Sequence, residues 1–372
     1  MKIDVIGPTA PTRGGISHYT TLMCENIAKT HNLKCYSFKR LYPWFYPGAS
    51  ENDEESKVQI KTGADRFVDS ANPYTWAKAF GRVKKDKPNL LVLPWWTTWM
   101  GPMFFSIAAM TKTFTNTKVM FQCHNVLSHE RKFFDKFVTK NIFRLGDYFI
   151  VQSKEDRDKL LSLKKDAKVK IAVHPTYEVF NQKEWNKEDV KQELGLKGDV
   201  ILFFGYVRPY KGLMYLVEAM PKILKQKDVT LLIVGEFWSP TKEEVVKRLE
   251  ELGVMNKVII VDKYIPNEEV GKYYSASDIV VLPYTSATNS GIVQTAFGLN
   301  IPVIVTNEGG LPEVVMDGKT GYIVPTESSD EIARAVVRFY NDRETIDFAK
   351  NIKDDKRRFE WDRLTETIES FM

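Results

Sequence analysis

Short apolar runs alternating with helical stretches constrain this chain more than any other feature, and the alternation occurs twice. In the first half the runs are Ile3–Ile6, Leu33–Phe38, Leu90–Leu93, Lys118–Gln122 and Tyr148–Val151, with helical patterns such as Ser17–Thr30 and Tyr74–Lys85 between them. The series restarts with Val200–Phe204, Thr230–Val234, Val258–Val261, Ile279–Leu282 and Pro302–Val305, separated by Leu213–Gln226, Lys242–Leu252 and Asn267–Ser275. Strands this short and apolar, joined through helices, build a parallel sheet covered on both faces. A chain of 372 residues has room for two or three domains. The pattern lapses near Val173–Asp199, around Pro175. The expectation is therefore an α/β protein with two Rossmann-like, doubly wound parallel-sheet domains, residues 1–175 and 176–358, facing a cleft that would hold a ligand. Tyr42–Lys61, with two prolines and an acidic run, reads as a long surface loop, and Trp361–Met372 as an amphipathic helix.

Bulk properties exclude several classes. The three cysteines, Cys24, Cys35 and Cys123, match no close metal-ligand spacing and no disulfide framework, which suits a reducing cytoplasm. Lys2–Gly7 leads straight into a strand and turn, so no N-terminal signal is expected. Leu90–Met110 carries no charge over 21 residues, but Pro94, Gly101 and Pro102 punctuate it. It reads as a buried strand, a tryptophan-bearing loop at Trp95–Thr98 and a buried helix, not as a membrane span. Residues 1–185 hold 29 basic and 18 acidic side chains, against 24 and 30 in residues 186–372. The basic half suits an anionic partner; a solvated basic surface is the plain alternative.

The turns after the strands carry the chemistry. Ser286-Ala-Thr-Asn-Ser-Gly291 opens a short apolar helix, and Gly309-Gly-Leu-Pro-Glu313 follows the next strand. A helix N-terminus offers free N–H groups and partial positive charge, and Ser290-Gly291 lets an anion approach that backbone. Gly205-Tyr-Val-Arg208-Pro-Tyr-Lys211-Gly212 places a guanidinium and an ammonium in one turn before a helix, a pair suited to a diphosphate. Gly14-Gly15, after the first strand, permits close backbone approach but lacks the G-x-G-x-x-G spacing of a dinucleotide binder, which counts against a dehydrogenase. His124 closes the strand Lys118–Gln122, where a sheet of this kind presents ligand-facing groups; it reads as a hydrogen-bond donor or acid–base, or as a structural histidine.

Taken in order, Pro11–Ile16, His124–Val126, Gly205–Gly212, Val234-Gly-Glu236, Ser286–Thr295, Gly309–Glu313 and Asp317–Gly321 resemble the family-4 (group 1) retaining glycosyltransferases of the GT-B fold, over nearly the whole chain. The resemblance implies a nucleotide-sugar donor held mostly by the second domain, an acceptor on the first, and a final helix, 359–372, returning to the first domain. It implies His124, Arg208 and Lys211 as catalytic groups, and Gly14, Gly15, Asn289, Ser290, Gly291, Thr295 and Glu313 as donor-binding. The nucleotide-sugar is a co-substrate, so no cofactor and no obligatory metal are expected. The implied partners are the donor and a glycan or lipid-linked acceptor, with no nucleic acid. A front-face route, in which the leaving diphosphate takes the acceptor proton, is the implied mechanism.

One departure bears on that reading. The family usually has two glutamates flanking the donor-sugar loop, and alignment on Pro302-Val303 puts Ala287 and Thr295 in their places, with Gln294 adjacent. Thr295 offers a hydroxyl; Ala287 offers nothing. Two alternatives stay open: a sugar-nucleotide epimerase of the same architecture, and a non-catalytic sugar-nucleotide or glycan binder. Finally, His129–Arg144 spaces Phe133, Phe137 and Phe143 helically among Arg131, Lys132, Lys136, Lys140 and Arg144, with Trp95, Trp96 and Trp99 in a neighbouring loop. Such a segment suits peripheral contact with an anionic membrane, at the inner face for a cytoplasmic protein; alternatively the rings pack inward and the cations are solvated.

Overall fold

A computed structural model describes residues 1–42, 52–57, 63–127 and 135–372. The chain divides into two compact units: Met1–Glu54, Val58–Val173 and Glu360–Met372 form one, and Glu55–Lys57 with His174–Phe359 the other.

The first unit is a seven-stranded parallel sheet in the order β3-β2-β1-β4-β5-β6-β7. Its strands are β1 (Lys2–Ile6), β2 (Asn32–Arg40), β3 (Asp65–Asp69), β4 (Leu90–Trp95), β5 (Lys118–Cys123), β6 (Tyr148–Val151) and β7 (Lys168–Ile171). The helices between them are α1 (Gly15–Thr30), α2 (Pro73–Asp86), α3 (Gly101–Phe114), α4 (Asp135–Phe143) and α5 (Lys154–Leu163). Local chemistry sets their starts: Asn72 caps α2 by accepting from Tyr74 N–H with Pro73 in the first turn, and Ser153 caps α5. Trp95, Phe104, Phe121, Phe143 and Phe149 build one face of the core.

The second unit is a six-stranded parallel sheet in the order β10-β9-β8-β11-β12-β13. Its strands are β8 (Asp199–Phe204), β9 (Val229–Val234), β10 (Val258–Val261), β11 (Ile279–Leu282), β12 (Val303–Thr306) and β13 (Gly321–Val324). The helices are α6 (Lys187–Glu193), α7 (Leu213–Leu224), α8 (Lys242–Glu251), α9 (Asn267–Ser275), α10 (Gly291–Gly298), α11 (Leu311–Val314), α12 (Ser329–Asp342) and α13 (Phe348–Asp355). Thr241 and Glu244 form a reciprocal capping box at α8. The last helix, α14 (Trp361–Glu369), belongs to the first unit: Leu364 and Ile368 are buried with Ile3, Val5, Tyr19 and Ile27, and the Trp361 and Tyr19 rings lie 5.2 Å apart.

Several expectations need correction. Trp95 is not in a loop: β4 runs through it, and its ring is fully buried against Phe104, Phe121 and Phe143. Trp96 is buried too, which removes both as interfacial anchors; Trp99 remains, 42% exposed. Three strands, β3, β7 and β13, were absent from the sequence reading. Of the expected Tyr42–Lys61 loop, residues 43–51 and 58–61 lie outside the described residues. Its described part is tied down: Asp53 N–H donates to Pro11 O, and Ser56 Oγ accepts from Asn267 N–H. Phe133 and its neighbours in 128–134 also lie outside the described residues.

Candidate functional site: an anion cradle on the second sheet

The order of the second sheet reverses between β8 and β11, which are neighbours although two strands, β9 and β10, lie between them in sequence. Ligands of open α/β sheets sit beyond the carboxyl ends of the strands at such a switch point. Arg208 and Lys211 follow β8, and Ser290 and Gly291 follow β11.

The turns there are locked to each other through glycine. A Cβ at Gly212, where φ is +65°, would lie 1.9 Å from the Pro283 carbonyl oxygen. One at Gly309, φ +54°, would lie 1.8 Å from the Ala287 oxygen. These are backbone-to-backbone contacts in left-handed conformations, so only glycine fits. Two hydrogen bonds complete the weave: Thr285 N–H to Tyr210 O at 2.8 Å, and Gly310 N–H to Thr288 O at 2.9 Å.

Lys211 ends a single 3-10 turn, Pro209–Lys211, and is 8% exposed. Its Nζ lies 2.9 Å from the position a Gly205 Cβ would take, a spot flanked at 3.3 Å by Ile292 of α10. The ammonium therefore sits beside the first turn of that helix, 5.7 Å from the Tyr284 ring centre. Among the described residues it has no hydrogen-bond or ion-pair partner. Burial, and secondarily the Arg208 charge, pull its pKa down to about 7. Arg208 likewise has no acidic partner; its guanidinium stacks on the Trp238 indole, 4.2 Å from the ring centre. Two adjacent cations without a counter-ion, one of them buried, are costly unless an anion joins them.

Ser290 is the N-cap of α10, its Oγ accepting from Ile292 N–H at 3.2 Å, with Tyr284 Oη 3.4 Å away. The cap leaves the Gly291 and Val293 N–H groups without an intrahelical acceptor. Gly291 is packed on its other side: a Cβ would meet the Tyr177 ring at 3.2 Å. Asn289 precedes the cap, half-buried, with its Nδ2 unpaired. Glu313 lies in the short α11, half-buried. Thr295 points elsewhere: it is 4% exposed and its hydroxyl donates back to Gly291 O at 2.9 Å. Ala287 is 5% exposed and Gln294 1% exposed. Neither position of the usual glutamates presents a carboxylate.

In the first unit, Gly14 and Gly15 stand at the start of α1 and His124 follows β5. Gly14, φ +107°, is the N-cap of α1, and a Cβ at Gly14 or Gly15 would meet nothing within 4 Å. Tyr19, one turn into α1, stands edge-on to the His124 ring with centroids 4.5 Å apart. His124 follows β5, 6% exposed, with its N–H bonded to Trp95 O. Sequence reasoning missed Trp238 and Tyr284. Both lie a few residues past strand ends, β9 and β11, and that position was the available signal. Among the described residues, no three His, Cys, Asp or Glu side chains are placed to hold a metal, and no helix is long and apolar enough to cross a membrane.

Comparison with known proteins bears on this geometry. Residues 198–342, which contain the whole cradle, match the family model of the group 1 glycosyl transferases. The match covers the second unit's sheet and its turns. Spore coat protein SA of Bacillus subtilis is 25% identical over 347 residues, 87% of this chain and 85% of that protein. D-inositol 3-phosphate glycosyltransferase of Mycobacteroides abscessus is 29% identical over 197 residues, covering 51% of this chain and 44% of the relative. The Anabaena protein HepE, solved in complex with UDP, superposes with a TM-score of 0.75 over all of both chains at 18% identity. That likeness speaks to the fold, which is the GT-B fold of two parallel-sheet α/β domains. Arg208, Lys211 and the start of α10 all fall inside the matched residues.

Proposed function

We propose that the protein transfers a sugar from a nucleoside-diphosphate sugar to an acceptor hydroxyl, with retention, in glycan or glycolipid assembly. The observation that carries this reading is the pair Arg208 and Lys211, which lack a counter-ion among the described residues, with Lys211 beside the first turn of α10 and its free N–H groups. A diphosphate supplies the missing charge. HepE, of the same fold, is seen with UDP and with UDP-glucose, which supports a nucleotide-sugar as the anion.

Departure of the diphosphate builds negative charge on its oxygens and positive charge at the anomeric carbon. Arg208, Lys211 and the α10 amides stabilise the leaving group without a metal. The front-face route needs no enzyme carboxylate at the sugar, which agrees with Ala287 and Thr295. Gly14, Gly15 and His124 on the first unit are the proposed contacts to the sugar and acceptor, with His124 as hydrogen-bond donor. A thermal-shift screen against UDP-, GDP-, ADP- and dTDP-sugars tests the donor assignment, since a ligand of the folded state raises stability by mass action. A hit absent from the Arg208→Ala, Lys211→Ala double variant supports the cradle; wild-type shifts in that variant refute it.

A second reading rests on Ala287 and Thr295: a binder of nucleotide-sugars that does not turn them over. Donor binding without transfer to any glycan or lipid-linked acceptor, and without donor hydrolysis, would select it.

A further inference from the structure

The outer side of α3 and α4 in the first unit is aromatic and basic and, among the described residues of the two helices, carries no exposed acid. Trp99, just before α3, is 42% exposed, Phe105 on α3 is 44% exposed and Phe137 on α4 is 73% exposed. Large aromatics in that state on a protein surface mark interaction sites when they cluster. Here they do. Thr98 Oγ1 donates to Asp135 Oδ1 at 2.7 Å, which ties the Trp99 turn to the start of α4. A Cβ at Gly101 would meet Ile142 at 3.0 Å and Val138 at 3.2 Å, so the start of α3 packs directly on α4. Phe105 lies one helical turn beyond Gly101, and Phe137 is the neighbour of Val138.

The charge pattern is one-sided. Lys136, Lys140 and Arg144 share an exposed stripe with Phe137, and none has an acidic partner among the described residues; Arg144 bonds only Asn141. The single acid of α4, Asp135, is 3% exposed and engaged by Thr98. α3 contains no acid at all, and its one cation, Lys112, pairs with Asp147. A protein partner would ordinarily be met by mixed charge. Exposed rings set among uncompensated cations complement a lipid interface, where rings enter the headgroup layer and each cation attracts anionic lipid.

We propose that the α3–α4 face docks this protein on an anionic phospholipid surface. This inference goes beyond the donor chemistry and stands or falls without it, because vesicle binding needs no nucleotide-sugar.

The test is flotation of the full chain with phosphatidylcholine vesicles containing or lacking 30 mol% phosphatidylglycerol. Binding should require the anionic lipid, weaken several-fold between about 0.05 and 0.5 M salt, and fall at least about 100-fold in the Lys136→Glu, Lys140→Glu double variant. Both lysines are exposed and unpaired, so the variant's melting temperature should match wild type, and its thermal shift with a nucleotide-sugar should too. A second readout isolates the aromatics: brominated lipid should quench tryptophan fluorescence in wild type and much less in Trp99→Phe. Absence of binding to anionic vesicles at low salt would overturn the proposal. So would binding that survives the charge reversal, or light scattering showing a stable dimer abolished by Phe137→Ala.

Discussion

Lys211 makes the sharpest prediction. Its amine is enclosed between the Gly205 backbone, Ile292 and the Tyr284 ring with no acceptor, and titrates near 7 where a free lysine titrates near 10.5. Holding it there costs the ligand-free protein about 4 kcal/mol at pH 7. The folded state binds fewer protons than the unfolded state between pH 7 and 10.5, so stability of the ligand-free protein rises with pH across that window. Lys211→Met keeps the volume and removes the amine; it should stabilise the empty protein by up to about 4 kcal/mol while abolishing donor binding. At pH 8 roughly one empty molecule in ten carries the proton, and a bound diphosphate restores the ammonium, so binding takes up about 0.9 proton. Titration calorimetry at pH 8 in Tris and in HEPES reads this directly, because the buffers release protons with different enthalpies. Affinity should fall about tenfold per pH unit above 8. Equal apparent enthalpies in the two buffers, or proton uptake that persists in Lys211→Met, would refute the assignment.

Further expectations concern neighbouring groups. Arg208→Ala should lower transfer by roughly 10- to 1000-fold with little change in melting temperature, since the side chain is half-exposed and makes no ion pair; steady-state kinetics with calorimetry checks both. Trp238→Ala removes the shelf under Arg208 and should weaken nucleoside diphosphate binding by about 2- to 30-fold; unchanged affinity by titration would mean that the stack does not position the guanidinium. Asp4 is fully buried, its carboxyl raised to about 8 by burial and by Asp86, which Lys2 and Lys34 hold ionised. The folded state therefore holds an extra proton between about pH 4 and 8 and loses stability as pH rises through that range; Asp4→Asn should flatten the melting temperature against pH there. Gly212→Ala drives a methyl into the Pro283 carbonyl and should destabilise the second unit by more than about 1 kcal/mol, measured by chemical denaturation.

Legibility in the sequence followed position in the sheet. The central strands, such as β4 with all six residues buried, announce themselves as uninterrupted apolar runs. The three missed strands all lie at edges: β3 and β7 bound the first sheet and β13 bounds the second. Edge strands have a wet side and carry charge: Asp65-Arg-Phe-Val-Asp69 and Lys168-Val-Lys-Ile171 dilute the apolar signal, and β13 opens on Gly321. In the site, what the turns determine was readable. Arg208 and Lys211 between glycines, and Ser290 before Gly291, follow from local sequence alone. What side-chain direction determines was not. Thr295 lies one helical turn after Gly291, and its hydroxyl returns to that carbonyl instead of facing a ligand. Trp238 comes from a different strand than Arg208, so only the folded sheet brings the indole under the guanidinium.

The glycine-locked turns have a consequence for how this site can change. Where Gly212 abuts Pro283 and Gly309 abuts Ala287, the proposed anion cradle is framed by main chain, at positions that admit no side chain. Substitution there removes the site and cannot tune it. If the proposed function holds, variation in which base or sugar is accepted is expected at partly exposed side chains around the frame, Asn289 and Trp238, and not at Tyr284, which is 4% exposed and packed edge-on against Tyr210. Libraries aimed at a new donor would hold the glycines constant and randomise Asn289 and Trp238.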